Sequence, residues 1–223
     1  MSAIEAVLFD FDGTLWDCEP LIFQAYDECF QWYGQRLPHG AWLSMMGTAN
    51  VSPWRCLEEL RGGPIDHAAA ELLVRRRKQD LLATAQARAG IRCLLDEVDG
   101  RRLPRAIVSN SDRSWIACYA RQCGIADRWS FVECADGDAR RAKPAPDLYL
   151  AALARLGLDA ERVVAIEDSP TGVRAAKLAG LPCVAITTRT TAPLLDEADV
   201  RIDSFERHDL WSLLNSATPQ RTP

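Results

Sequence analysis

Asp10 and Asp12 flank Phe11 in the stretch Leu8-Phe9-Asp10-Phe11-Asp12-Gly13-Thr14. Two carboxylates this close repel each other and are costly to desolvate. Such a pair holds a cation, or divides into one charged and one protonated group. Gly13 permits tight backbone geometry and Thr14 can cap the turn. The plainest alternative is an exposed acidic turn, and Asp-x-Asp-Gly also opens calcium loops. A calcium loop needs further oxygen ligands and a closing Glu, whereas residues 10–21 supply Leu15, Trp16, Cys18 and Leu21.

A second acidic pair, Glu167-Asp168, follows the apolar run Val163-Val164-Ala165-Ile166 and leads into Ser169-Pro170-Thr171-Gly172. Acids at a helix start are favoured by the helix dipole by ~0.3–1 kcal/mol, which accounts well for one acid. It accounts less well for two acidic pairs that both end apolar runs. Ser109-Asn110-Ser111 ends a third run, Arg105-Ala106-Ile107-Val108. Hydroxyl, amide and backbone N–H groups at such a junction suit a phosphate oxygen, though an ordinary helix cap uses the same residues. Lys143-Pro144-Ala145-Pro146 sets a lysine before prolines and so keeps it out of a helix. Taken alone, it reads as a mobile surface lysine.

The elements that must position these groups follow from periodicity. Ala6–Phe9, Arg105–Val108, Val163–Ile166 and Cys183–Ile186 are continuous apolar runs, the pattern of strands buried on both faces of a parallel sheet. Helical stripes separate the later runs. Trp115, Ile116, Tyr119, Ala120 and Cys123 mark one, closed by Gly124; Tyr149, Ala152, Leu153 and Leu156 mark another, closed by Gly157. A third opens at Ser169-Pro170 and stops at Gly180. Alternation of this kind predicts an α/β fold, a doubly wound parallel sheet with a Rossmann-like core, whose ligands bind beyond the carboxyl ends of the strands. From about Trp16 to Gln86 the alternation fails. Ile22, Tyr26, Cys29, Phe30 and Tyr33 form one helical stripe, and Asp66 opens a long helix carrying Leu72, Leu73 and Leu82. Residues 1–15 and 87–223 are therefore expected to form the core, and residues 16–86 a small all-α insert.

Composition narrows the function classes. The chain has 223 residues, 48% hydrophobic and 26% charged, with a net charge of −5. Its basic residues are scattered, and Arg75-Arg76-Arg77-Lys78 reads as a solvated helix face, so no nucleic-acid or acidic-membrane partner is expected. No apolar stretch approaches the ~20 residues of a membrane span, and Met1-Ser2-Ala3-Ile4-Glu5 lacks a signal peptide's layout. The expectation is a cytoplasmic protein. Its eight cysteines include no Cys-x-x-Cys pair and several lie within apolar patterns, which predicts reduced structural thiols. The three histidines, His39, His67 and His208, are well apart and give no zinc pattern.

Taken in order, the four stations resemble the haloacid dehalogenase superfamily of phosphotransferases. The match runs through Leu8-Phe9-Asp10-Phe11-Asp12-Gly13-Thr14-Leu15, Val108-Ser109-Asn110-Ser111, Lys143-Pro144-Ala145-Pro146-Asp147 and Ile166-Glu167-Asp168-Ser169. The resemblance implies a phosphatase acting on a small-molecule phosphate ester. Asp10 would be the nucleophile and would form an aspartyl-phosphate; Asp12 would be the acid and base. Mg2+ would be held by Asp10, the Asp12 carbonyl and Asp168, with Glu167 adjacent or acting through water. Ser109, the Asn110 backbone and Lys143 would bind phosphoryl oxygens. The insert would be the family's cap domain. Asp17-Cys18-Glu19-Pro20 is similar to a motif of its sugar-phosphate phosphatases, which makes Glu19 a candidate substrate contact as well as a plain helix-start acid. Trp42, Met46 and Trp54 could line a pocket, with packing the simpler role. A β-phosphoglucomutase-like phosphomutase is the alternative, but Gly47-Thr48-Ala49-Asn50 and Ser111-Asp112-Arg113 lack that branch's second phosphate anchors. A phosphoacceptor signalling module would need no helical insert, and a dehalogenase would not need Asp12.

Overall fold

In the computed structural model, which describes residues 4–47, 52–188, 191–206 and 211–212, the apolar runs become strands of one six-stranded sheet. The strands are β1 (Ala6–Phe9), β2 (Arg105–Ser109), β3 (Phe131–Cys134), β4 (Val163–Glu167), β5 (Cys183–Ile186) and β6 (Val200–Ile202). Their order is β3-β2-β1-β4-β5-β6 and every pairing is parallel. This is the Rossmann-like order, whose direction reverses between β1 and β4. Phe9 lies in register with Ile107 on one side and Ile166 on the other. The residues that follow these three positions are therefore brought together at one end of the sheet.

Two of these strands escape the apolar-run signal, for a physical reason. β3 is an edge strand with one buried residue, Cys134, and its Glu133 pairs with Arg141 at 2.7 Å. β6, at the other edge, is three residues long with an exposed Arg201 at its centre. Edge strands are half-solvated and carry charge, so no continuous apolar run marks them.

The chain divides into two compact units, residues 1–16 with 87–223, and residues 17–86. The first holds the sheet with α5 (Ile91–Gly100), α6 (Arg113–Gln122), α7 (Asp147–Leu156) and α8 (Pro170–Leu178). Trp16, expected in the insert, belongs to this unit, where its ring stacks on Tyr119 at 3.9 Å. Gly157 ends α7 in the left-handed conformation, and the Ser169 hydroxyl caps α8 by accepting from Gly172 N–H. The second unit comprises α1 (Glu19–Trp32), α2 (His39–Gly47), α3 (Pro53–Arg61) and α4 (His67–Leu82). Asp66 caps α4 by accepting from Ala69 N–H at 3.0 Å, and Glu28 of α1 takes two hydrogen bonds from Arg77 of α4. Trp42 packs with Phe30, Leu37 and Leu57, and Trp54 with Ala25, Cys29, Ala70 and Val74. Both tryptophans thus serve the core of this unit. Thr48, Ala49 and Asn50, the tail after Asn215 and the Met46 side chain lie outside the described residues.

All eight cysteines are free thiols, and burial pushes Cys123 and Cys134 up to about 11. Among the described residues no helix is long and apolar enough to cross a membrane.

Candidate active site

Asp10 is the first residue beyond β1, and its N–H extends the ladder by donating to the Ile166 carbonyl at 2.9 Å. The loop after it folds back at once: Leu15 and Trp16 N–H both donate to the Phe11 carbonyl, and Gly13 N–H donates to the Trp16 carbonyl. Gly13 sits at φ +84°, and a Cβ there would lie 1.8 Å from Asp168 Oδ2. Glycine is required twice over, by the backbone and by the carboxylate pressed against it. Thr14 donates to the other oxygen of Asp168 at 3.3 Å. From outside the motifs, Arg88 donates through Nε to the Gly13 carbonyl at 2.7 Å and so ties down the loop.

Lys143 is at the centre of the site. It is buried, and its Nζ donates to Asp10 Oδ1 at 2.5 Å, to Glu167 Oε1 at 2.6 Å and to the Val108 carbonyl at 2.6 Å. The mobile surface lysine conceivable from sequence is not what folds. Burial works against its charge, but Asp10 and Glu167 outweigh that and raise its pKa above the ordinary lysine value. Asn110 holds the lysine's backbone in place, since its side chain accepts from Lys143 N–H at 2.7 Å and donates to the Lys143 carbonyl at 3.2 Å. Ser109 is buried and its hydroxyl accepts from Ser111 N–H.

Glu167 is fully buried at the end of β4. Its Oε1 accepts from both Lys143 and the Tyr149 hydroxyl at 2.6 Å, and its Oε2 accepts from Ser169 at 3.5 Å. It lies so close to the first turn of α8 that a Cβ on Gly172 would stand 1.9 Å from Oε2. Asp12 is half-buried; Ser111 donates to its Oδ2 at 2.5 Å and Trp115 to its Oδ1 at 2.9 Å. Glu19 is the first residue of α1, in the helical unit.

One carboxylate oxygen each from Asp10, Glu167 and Asp168 lies within 4.8 Å of the others. Burial raises the Asp10 pKa well above the usual carboxylate range despite Lys143, with Glu167 and Asp12 adding repulsion. The three buried acids offer an all-oxygen donor set, which suits a hard divalent cation.

The motif residues Asp10, Asp12, Ser109, Asn110, Lys143, Glu167 and Asp168 are gathered at the carboxyl ends of β1, β2 and β4 and in the loop before α7. Sequence reasoning placed Ser111 in the second motif without pairing it with Asp12, and it missed the roles of Arg88, Trp115 and Tyr149. Tyr149 and Trp115 were legible only as members of apolar helix stripes, and nothing in a stripe says where a phenol or an indole N–H will point.

Acids that attract a cation, beside a lysine and a hydroxyl that attract an anion, are what a Rossmann-like enzyme cleaving phosphate esters requires; the class is that of the phosphoric monoester hydrolases. The model of the haloacid dehalogenase-like hydrolases matches residues 4–180, and the chain belongs to that family. It is 33% identical to YhcW of Bacillus subtilis, whose name assigns it provisionally to the phosphatases, over 97% of this chain and 99% of that one. A phosphorylated carbohydrates phosphatase of Thermotoga maritima is 29% identical over 80% of this chain and 82% of its own. The crystal structure of CbbY from Rhodobacter sphaeroides with xylulose-1,5-bisphosphate is 29% identical and superposes with a TM-score of 0.69, covering 92% of this chain and 96% of that one.

Proposed function

We propose that the protein is a Mg2+-dependent phosphatase that hydrolyses a small phosphorylated metabolite, a sugar phosphate or a similar ester, through an aspartyl-phosphate on Asp10. The observation that carries this reading is the buried bridge from Lys143 Nζ to Asp10 and Glu167, beside Asp168. It holds the Asp10 carboxylate ready at a strand end and supplies the fixed positive charge that a phosphate dianion needs. A relative named for phosphorylated carbohydrates and a neighbour bound to a ketose bisphosphate support the substrate class.

In this mechanism Asp10 attacks phosphorus in line while Asp12 protonates the departing oxygen. Asp12 then takes a proton from the water that releases phosphate from Asp10. Ser109, the Asn110 backbone and Lys143 hold the phosphoryl oxygens through the transfer. Asp10, the Asp12 carbonyl and Asp168 would hold Mg2+, with Glu167 behind them. Mg2+ supplies charge neutralisation between the carboxylates and the phosphoryl group. Glu167 already has two donors on Oε1, so its chief service is to keep Lys143 charged and in place. The helical unit, residues 17–86, serves as the cap that reads the leaving group, with Glu19 a substrate contact.

The test is phosphate release from a panel of sugar and other metabolite phosphates, with kcat/KM for each. Activity should vanish in chelator, return with Mg2+, and be lost in Asp10→Asn. Turnover that survives either treatment sinks the mechanism.

A further inference from the structure

We propose that Trp115 is a positioning residue for Asp12, and that together with Ser111 it decides which oxygen of that carboxyl handles the proton. The inference rests on the reading of Asp12 as acid and base. Trp115 lies in the first turn of α6 and donates through Nε1 to Asp12 Oδ1 at 2.9 Å, while the Ser111 hydroxyl meets Oδ2 at 2.5 Å. Neither contact belongs to the phosphate-binding set.

The two partners differ in chemistry. An indole N–H only donates, so the oxygen facing it must remain an acceptor whatever the state of the carboxyl. A hydroxyl turns either way: it donates to an ionised Oδ2 and accepts from a protonated one. The arrangement therefore accommodates both states without moving the carboxyl, provided that the proton sits on Oδ2. In the first step the Oδ2 proton passes to the ester oxygen as its bond to phosphorus breaks and the bond from Asp10 forms. In the second, water gives a proton to Oδ2 as its oxygen bonds to phosphorus and the Asp10–phosphorus link breaks.

The indole is itself held. Its ring meets Trp16 edge-on at 5.8 Å and Tyr119 at 4.6 Å, and Trp16 and Tyr119 stack at 3.9 Å. Trp16 is fully buried. The aromatic cluster thus joins the loop after β1 to α6 and fixes the direction of the N–H.

The experiment compares kcat/KM on two esters in Trp115→Phe and Asp12→Asn. One is p-nitrophenyl phosphate, whose leaving group departs with little help from an acid. The other is the sugar phosphate turned over fastest in the panel, whose alkoxide needs the proton. Both variants should lose at least about tenfold more on the sugar phosphate than on the aryl ester. The inhibition constant of inorganic phosphate should be unchanged in Trp115→Phe, which shows an intact phosphate site. Equal loss on both esters in Trp115→Phe, with the split present in Asp12→Asn, overturns the positioning role and leaves Asp12 as the acid. A split absent from both overturns the acid reading and this inference with it. Should Trp115→Phe fail to fold, Ser111→Ala carries the test. It should show the split, Ser111→Thr should abolish it by keeping the hydroxyl, and no split in Ser111→Ala overturns the proposal.

Discussion

Lys143 has two buried carboxylates as partners, and that makes its removal informative. Replacement by Met keeps the length of the stem and leaves Asp10 and Glu167 without their counter-charge. Breaking a buried pair from one side costs about 3–5 kcal/mol, because the remaining charges stay desolvated. Lys143→Met should lose stability on that scale in denaturant melts, and kcat should fall at least about a hundredfold. The raised Lys143 pKa sets the sign of any pH effect. Its contribution is complete below the unfolded lysine value of about 10.4 and fades only as pH climbs through the higher folded value. Wild-type stability should therefore show no Lys143 titration near neutrality. A Lys143→Met protein as stable as wild type would mean that the bridge is not formed. At this scale the acids and Ser109 were legible because a motif pins each to the end of an apolar run, whereas Lys143 was legible only in the order of the four motifs. Tyr149 and Arg88 were not, since their partners lie 18 and 75 residues away in the chain.

Elements meet the site through glycines as much as through side chains. Gly172 lies in the first turn of α8, where an added methyl would overlap the Glu167 carboxylate at 1.9 Å. To accommodate it, α8 must slide along β4 or Glu167 must leave Lys143 and Tyr149. Gly172→Ala should cost about 1–3 kcal/mol through overpacking and depress kcat as well. Gly100, at the end of α5, is the control, since nothing stands within 4 Å of where its Cβ would lie. Gly100→Ala should be neutral or stabilising by up to about 1 kcal/mol, the helix-propensity difference. Equal thermal melts for the two variants would show that Glu167 does not rest against α8. From sequence, Gly172 reads as part of a helix start behind Ser169-Pro170. Only the parallel register of β4 with β1 turns that start into a wall of the site. The same logic explains β3 and β6, edge strands whose charged residues conceal them until their neighbours are in place.

At the scale of the whole molecule, the change from strand–helix alternation to helices alone is what made the two units readable. The ester is not readable in the same way, because the helical unit spends its large aromatic residues Trp42 and Trp54 on its own core. The division nonetheless yields a prediction independent of turnover. Among the described residues, the acids that cluster closely enough to share a cation are Asp10, Glu167 and Asp168, and all three belong to the sheet-bearing unit. A ligand that binds only the folded state stabilises it by about 2.7 kcal/mol at a hundred times its dissociation constant, or about 5–10 °C in a chain of this size. Mg2+ should therefore raise the melting temperature of that unit by this order and leave the unfolding of the helical unit where it was. Asp168→Asn removes one carboxylate charge while keeping an acceptor for Thr14, and it should erase most of the shift. If Mg2+ raised the melting temperature of Asp168→Asn as much as that of wild type, the cation would be binding elsewhere. If it left wild type unmoved, the acid cluster would not bind Mg2+, and the cost that burial imposes on the Asp10 carboxylate would have no metal to relieve it.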